Sequence, residues 1–215
     1  MVVIFDVDGT LLDTFPHVRA SYIHTLEKML PNYKYTEEEL KSFFGPTLPE
    51  TFKSIVGDGN DKFVNALVDE YVSYSKTIAK EYLSVFPKTF ETLEKLKSDG
   101  HILTVLSNKR TNVILEQFAL VGILPYFDLI IGYNDVKHPK PDPEGIRLMQ
   151  DKYQEECIFV GDTVYDMETA RNAGITGVGV LWGLTSEEKL RLAGADYIIN
   201  DYQELFEIIK GGTNV

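Results

Sequence analysis

The chain has 215 residues, 44% hydrophobic and 25% charged, a composition that suits one globular domain, or one domain carrying an insertion, and excludes global disorder. Its 21 basic residues stand against 33 acidic ones for a formal charge of −12, which repels nucleic acid and anionic membrane surfaces where no basic patch reverses it. One cysteine, Cys157, forms no internal disulfide, and residues 1–5 are cut short by Asp6 without a signal-peptide pattern. No apolar run approaches the ~20 residues of a membrane helix. The expectation is a cytoplasmic enzyme or binding protein, monomer or weak homodimer, with no nucleic-acid and no membrane partner.

Short apolar runs rich in β-branched residues lie at 2–5, 102–106, 129–131, 158–160, 178–181 and 197–199. Most are apolar at successive positions, as strands buried on both faces are. Amphipathic segments follow them. Residues 90–97 carry Phe90, Leu93 and Leu96 at helical spacing before an Asp99-Gly100 break, and 111–120, 143–153, 166–173, 186–192 and 202–210 have similar start or stop chemistry. This alternation predicts an α/β fold with a Rossmann-like, mainly parallel sheet. One interval breaks the rhythm, since the gap between the first two strand candidates far exceeds a single crossover. Residues 15–85 hold no convincing strand but several helical stretches: Val18, Tyr22, Leu26 and Met29 on one face, then 37–44, 49–55 and 62–82. An inserted α-helical subdomain over 15–85 is expected, within a core of 1–14 and 86–215. Pro16, Gly45-Pro46, Gly57-Asp58-Gly59 and Pro87 mark its edges and corners, and the tail 211–215 is expected to fray.

The first strand candidate runs into Asp6-Val7-Asp8-Gly9-Thr10. In an open α/β sheet ligands bind beyond the carboxyl ends of the strands, which puts Asp6 in a site. The same residues also read as a polar turn with an Asx bond. Two other strands end similarly, 102–106 in Ser107-Asn108-Lys109 and 158–160 in Gly161-Asp162, with Asp166 four residues on. Parallel strands bring these tips to one edge. Asp6, Asp8 and Asp162 there, with Asp166 nearby, repel one another by several kcal/mol in a low-dielectric pocket unless a hard cation bridges them. Mg²⁺, which favours oxygen ligands and a short protein ligand list, is the expected cofactor. Lys140, in His138-Pro139-Lys140-Pro141-Asp142-Pro143, is either an exposed loop lysine or a cationic donor held for an anionic substrate.

These four segments, in this order, resemble the four motifs of the haloacid dehalogenase (HAD) superfamily of phosphohydrolases, and the resemblance covers nearly the whole chain. The helical insertion resembles the family's helical cap. The resemblance implies a small phosphorylated substrate and Asp6 as the nucleophile that becomes an aspartyl-phosphate. It makes Asp8 the acid that protonates the leaving oxygen, and then the base. Ser107 and the backbone of Asn108 would hold phosphoryl oxygens, with Lys140 bridging phosphate and Asp6. The implied metal ligands are Asp6, the Asp8 backbone carbonyl and Asp162, with Asp166 orienting the shell. Lys109 and Arg110 either hold the non-reacting end of a small anion or form a solvated basic helix start.

Gly45-Pro46-Thr47-Leu48 stands where the family carries its substrate-specificity loop, and it lacks the Arg that sugar-phosphate mutases of similar sequence usually place there. The chain most resembles bacterial HAD-type inorganic pyrophosphatases and the related phosphoglycolate phosphatases. The expected reaction is hydrolysis of a small phosphate anhydride or ester, with pyrophosphate slightly ahead of 2-phosphoglycolate. A mutase, a phosphoacceptor switch and a non-catalytic binding module are the alternatives. His17 and His24, seven apart on the first helix of the insertion, either face the cleft or have the surface or packing roles to which they are assigned, and His138, near Lys140, is not counted as a binding residue. Tyr71, Tyr74, Tyr82 and Phe63 are assigned to the helical subdomain's core, and Cys157 to an inert buried thiol.

Overall fold

The computed structural model describes residues 1–212. The chain opens with β1 (Val2–Phe5), the short β2 (Leu12–Asp13) and four helices, α1 (Phe15–Met29), α2 (Glu37–Ser42), α3 (Leu48–Val56) and α4 (Asp61–Tyr82). It returns through the two-residue β3 (Ser84–Val85) to an alternating run: α5 (Thr89–Ser98), β4 (Ile102–Ser107), α6 (Thr111–Val121), β5 (Leu129–Gly132), α7 (Glu144–Tyr153), β6 (Cys157–Gly161), α8 (Val164–Ala173), β7 (Thr176–Val180), α9 (Glu187–Ala193), β8 (Tyr197–Ile199) and α10 (Tyr202–Gly212).

The main sheet has the order β5-β4-β1-β6-β7-β8, with every pairing parallel. β1 is central, so Asp6 leaves the sheet between the tips of β4 and β6, where the strand order changes direction. Alternate residues of β1 serve opposite layers. Val3 and Phe5 pack with Leu93, Phe118 and Leu205, while Val2 and Ile4 pack with Ile146, Met149 and Ala170. Both faces are therefore covered by helices, which is why the strand sequences read as continuous apolar runs.

Helices α1 to α4 enclose a separate apolar cluster built on Tyr22, Leu26, Leu40, Phe52, Leu67 and Tyr71. Their starts follow from local chemistry. Thr36 accepts the Glu39 N–H at the head of α2, and Thr47 forms a capping box with Glu50 at the head of α3. Two details depart from the sequence expectations in this region. A strand does occur within 15–85, because β3 pairs antiparallel with β2 through Leu12–Val85 and Asp13–Ser84, a ribbon too short to leave a periodic signal. Tyr82 is exposed rather than part of the core, and Tyr74 stacks on the His24 ring.

Elsewhere α10 continues to Gly212, so residues 211 and 212 are helical rather than frayed, and 213–215 lie outside the described residues. Cys157 is buried, and burial raises its thiol pKa, in keeping with an inert role. Among the described residues no helix is long and apolar enough to cross a membrane.

Candidate active site

The site is built from strand tips. Immediately after β1, the Asp6 side chain is almost wholly buried, and its Oδ1 accepts a 2.8 Å hydrogen bond from Lys140 Nζ. The same ammonium donates to Asp166 Oδ1 at 2.6 Å. Lys140 is thus not an exposed loop lysine; only 4% of its surface is accessible. Burial opposes its charge, but the carboxylates of Asp166 and Asp6 outweigh that and hold its pKa above the ordinary lysine value.

Asp166 uses its other oxygen locally. Oδ2 accepts the Thr163 N–H at 2.8 Å and the Thr163 hydroxyl at 2.7 Å, completing the capping box that starts α8. Asp166 is thus engaged on both oxygens, by Lys140 on one and by Thr163 on the other. Asp162 is held more loosely, by the Thr10 hydroxyl and the Leu184 N–H, each at 3.3 Å.

Oxygens of Asp6, Asp162 and Asp166 all lie within 4.8 Å of one another. At that spacing each pair of like charges costs about 3–4 kcal/mol at an effective dielectric of ~20. Asp6 is accordingly raised from 3.8 to about 6, first by burial and then by Asp166, with Lys140 pulling the other way. Asp162 is pushed well above the carboxylate range by burial, Asp166 and Asp6. Three carboxylates and one ammonium sum to −2, the charge that one divalent cation balances. Asp6 Oδ2 makes no protein hydrogen bond among the described residues and Asp162 makes only long ones, so this oxygen-only set fits a hard cation such as Mg²⁺.

The Asp8 carboxylate is directed away from that cluster. Lys109 Nζ donates to Asp8 Oδ1 at 2.6 Å and to Gln117 Oε1 at 2.8 Å. Lys109 is therefore neither a solvated helix start nor a free anion holder. Arg110 is likewise engaged, donating to the Tyr133 hydroxyl at 2.7 Å.

Ser107 ends β4, buried beside Asn108, and its hydroxyl accepts the Lys109 N–H at 3.4 Å. The Asn108 side chain has a role the sequence does not announce. Its amide donates to the Lys140 carbonyl at 3.0 Å and to the Gly45 carbonyl at 2.8 Å, and its Oδ1 accepts the Lys140 N–H at 3.0 Å. One side chain joins the β4 tip, the lysine loop and the loop between α2 and α3. Gly45 sits there at φ +107°, and a Cβ would stand 2.7 Å from the Tyr165 ring.

Gly9 has a similar constraint, since at φ +81° its Cβ would run into the Asp162 carboxyl. Thr10, Thr163 and the Trp182-Gly183-Leu184 turn also belong to the site. Trp182 and Tyr202 both donate to the Thr10 carbonyl, at 3.0 and 2.7 Å. The turn follows β7, so the strand-tip rule that selects Asp6 also points there. Asp6, Asp8, Ser107, Asn108, Lys140 and Thr163 line a space of about 30 Å³ closed above by Phe44 and Gly45.

Among His17, His24 and His138, His138 lies 3.3 Å from Glu144 and His24 pairs with Glu70. His17 is buried against a second cavity.

A parallel sheet whose central tips gather three carboxylates and a buried lysine under a helical layer defines an α/β enzyme with an anion-handling, cation-fitting centre. A family model described as "Haloacid dehalogenase-like hydrolase" matches residues 3–180. The chain is 33% identical to Pyrophosphatase PpaX of Bacillus velezensis over 96% of its own length and 94% of that protein's. It is 30% identical to Pyrophosphatase PpaX of Oceanobacillus iheyensis over 96% and 95%. A crystal structure of a haloacid dehalogenase-like hydrolase from Bacteroides fragilis superposes with a TM-score of 0.87 at 31% identity, covering 95% of this chain and 98% of that one. The chain belongs to the haloacid dehalogenase-like hydrolase family, and it is a hydrolase of phosphoric ester or anhydride bonds.

Proposed function

We propose that this protein is a Mg²⁺-dependent phosphatase that hydrolyses a small phosphate anhydride or monoester, of the pyrophosphate or 2-phosphoglycolate type, through an aspartyl-phosphate on Asp6. The observation that carries the reading is the state of Asp6: one carboxylate oxygen held by Lys140, the other without a protein partner, at the tip of the central strand. A carboxylate is a weak nucleophile and attacks a phosphoryl group only where nearby positive charge offsets the substrate's negative charge. Lys140 supplies part of it. Asp6 and Asp162, with the Asp8 backbone carbonyl, would hold the Mg²⁺, whose charge supplies the rest when bound.

Asp6 Oδ2 forms the bond to phosphorus while the bond to the leaving oxygen breaks, and Asp8 gives that oxygen its proton. Asp8 then takes a proton from the water that cleaves the aspartyl-phosphate, which releases orthophosphate and regenerates Asp6. Lys109, itself held by Gln117 Oε1, keeps Asp8 in place for both transfers. Ser107 Oγ and the Asn108 N–H bind phosphoryl oxygens. Residues 15–85 act as the cap, closing Gly45 over the reacting group and excluding water.

The names of the relatives favour pyrophosphate. Multiple turnover of p-nitrophenyl phosphate, pyrophosphate and 2-phosphoglycolate, measured with and without Mg²⁺, tests the reading. It expects Mg²⁺-dependent turnover that nearly vanishes in Asp6→Asn and falls steeply in Asp8→Asn. Absence of turnover of every phosphoryl compound with Mg²⁺ refutes it.

A further inference from the structure

Beside the small space above Asp6 lies a second cavity of about 90 Å³, which shares Asp8, Phe44, Gly45 and Asn108 with it and extends between the helical layer and α6. A water-sized group needs roughly 10–15 Å³, so the cavity has room for about six. Its walls are largely apolar, formed by Val18, Phe43, Phe44, Leu48, Val72 and Val113. A leaving group on the oxygen that Asp8 serves would extend into this cavity.

His17, only 3% accessible, lines the cavity from α1. Its Nε2 lies 2.8 Å from the Ser75 carbonyl oxygen. A carbonyl only accepts, so Nε2 carries the proton. Burial lowers the ring's pKa and keeps the imidazole neutral. Nδ1 is then a bare lone pair, and it is one of two buried side-chain polar atoms among the described residues with no hydrogen-bond partner. The other, Thr14 Oγ1, does not border the cavity. Leaving a buried acceptor unmatched is costly, and a ligand's donor recovers that cost.

Gln117 lines the same cavity and offers the complement. Its Oε1 is taken by Lys109, while its Nε2 has no hydrogen bond among the described residues. An acceptor and a donor on two residues that line one apolar cavity match a hydroxyl, which both donates and accepts. An ammonium would also donate to Nδ1, but it has no acceptor for the Gln117 amide and would leave that donor unmatched. Pyrophosphate and 2-phosphoglycolate, when fully ionised, offer no donor to Nδ1.

We propose that His17, through Nδ1, is a specificity-determining residue that selects short phosphomonoesters whose alkyl leaving group carries a hydroxyl. The proposal rests on the phosphatase reading of Asp6, takes its monoester branch, and puts a hydroxylated alkyl group in place of the pyrophosphate or 2-phosphoglycolate leaving group.

The test compares kcat/KM for glycerol 1-phosphate and propyl phosphate, equal in carbon number and different in hydroxyls, with pyrophosphate and p-nitrophenyl phosphate in parallel. His17→Gln is the informative variant, since the glutamine amide takes the place of Nε2 and its bond to Ser75 while the Nδ1 acceptor is lost. The wild type should prefer glycerol 1-phosphate at least tenfold. His17→Gln should bring the ratio close to one, mainly through KM. Should that variant fail to fold, His17→Leu, which also removes Nδ1, gives the same readout, a lowered ratio.

A wild-type ratio near one overturns the proposal, as does a ratio unchanged in the variant, the result if Nδ1 merely binds a buried water. Efficient cleavage of pyrophosphate with neither ester accepted overturns it too, and leaves the phosphatase reading standing. No turnover of any of the four compounds instead removes the phosphatase reading itself.

Discussion

Replacing Asp6 by Asn should abolish turnover and at the same time make the metal-free protein more stable. The Asp6 carboxyl is raised from 3.8 to about 6 in the folded protein, chiefly by burial and by Asp166. Its ionised form is therefore disfavoured relative to the neutral form, by about 3 kcal/mol at 1.36 kcal/mol per pKa unit. For a carboxyl raised on folding, the stabilising contribution is complete below the unfolded value of 3.8 and is lost as pH rises through about 6. Asn imitates the neutral acid at every pH, and Asp166 keeps Lys140 paired. At pH 7.5 in chelator, Asp6→Asn should gain about 3 kcal/mol in urea unfolding, or roughly 6–12 °C in Tm for a chain of this size. Between pH 4 and 6 the wild-type curve should fall relative to that of the variant, and Mg²⁺ should stabilise the wild type more than the variant. Parallel pH curves, or a variant no more stable than wild type at pH 7.5, would refute the claim that clustered, buried carboxylates strain this site.

Two further substitutions probe the contacts between the layers. Asn108→Ala leaves the Lys140 N–H and the Gly45 carbonyl without their partner, so the urea midpoint should fall by the equivalent of about 1–3 kcal/mol with an unchanged m-value. Gly45→Ala places a methyl group 2.7 Å from the Tyr165 ring at φ +107°. It should raise KM, and adding Tyr165→Ala should recover only part of the loss, because the space returns but the backbone strain does not.

The main sheet was legible because its chemistry is local. Val2 to Phe5 are apolar at every position since both faces of β1 are covered, and Asp6 declares itself as the first charged residue beyond that run. Lys140 was ambiguous, as nothing in a proline-rich loop tells whether its lysine reaches water or two buried carboxylates. The Lys109–Asp8 pair spans 101 residues of sequence, and no spacing rule anticipates it. His17 escaped for a related reason: the face of α1 that meets the cavity depends on how the helical layer sits on the sheet. The Thr163-x-x-Asp166 capping box, in contrast, could have been read from its spacing.

The β2–β3 ribbon bears on how a substrate gets in. Both chain crossings between the two layers are zipped to each other, by Leu12–Val85 and Asp13–Ser84 and by the Phe86 N–H on the Leu11 carbonyl at 3.1 Å. The helices are thus joined to the core along one narrow strap, and elsewhere through contacts such as Asn108 to Gly45 and Lys76 to Glu116. Twisting a strap two residues wide disturbs little packing, whereas parting its strands would sacrifice backbone hydrogen bonds. A pivot about residues 12–13 and 84–85 would undo the clasp at Gly45 and leave Asp6, Lys140 and Asp166 in register.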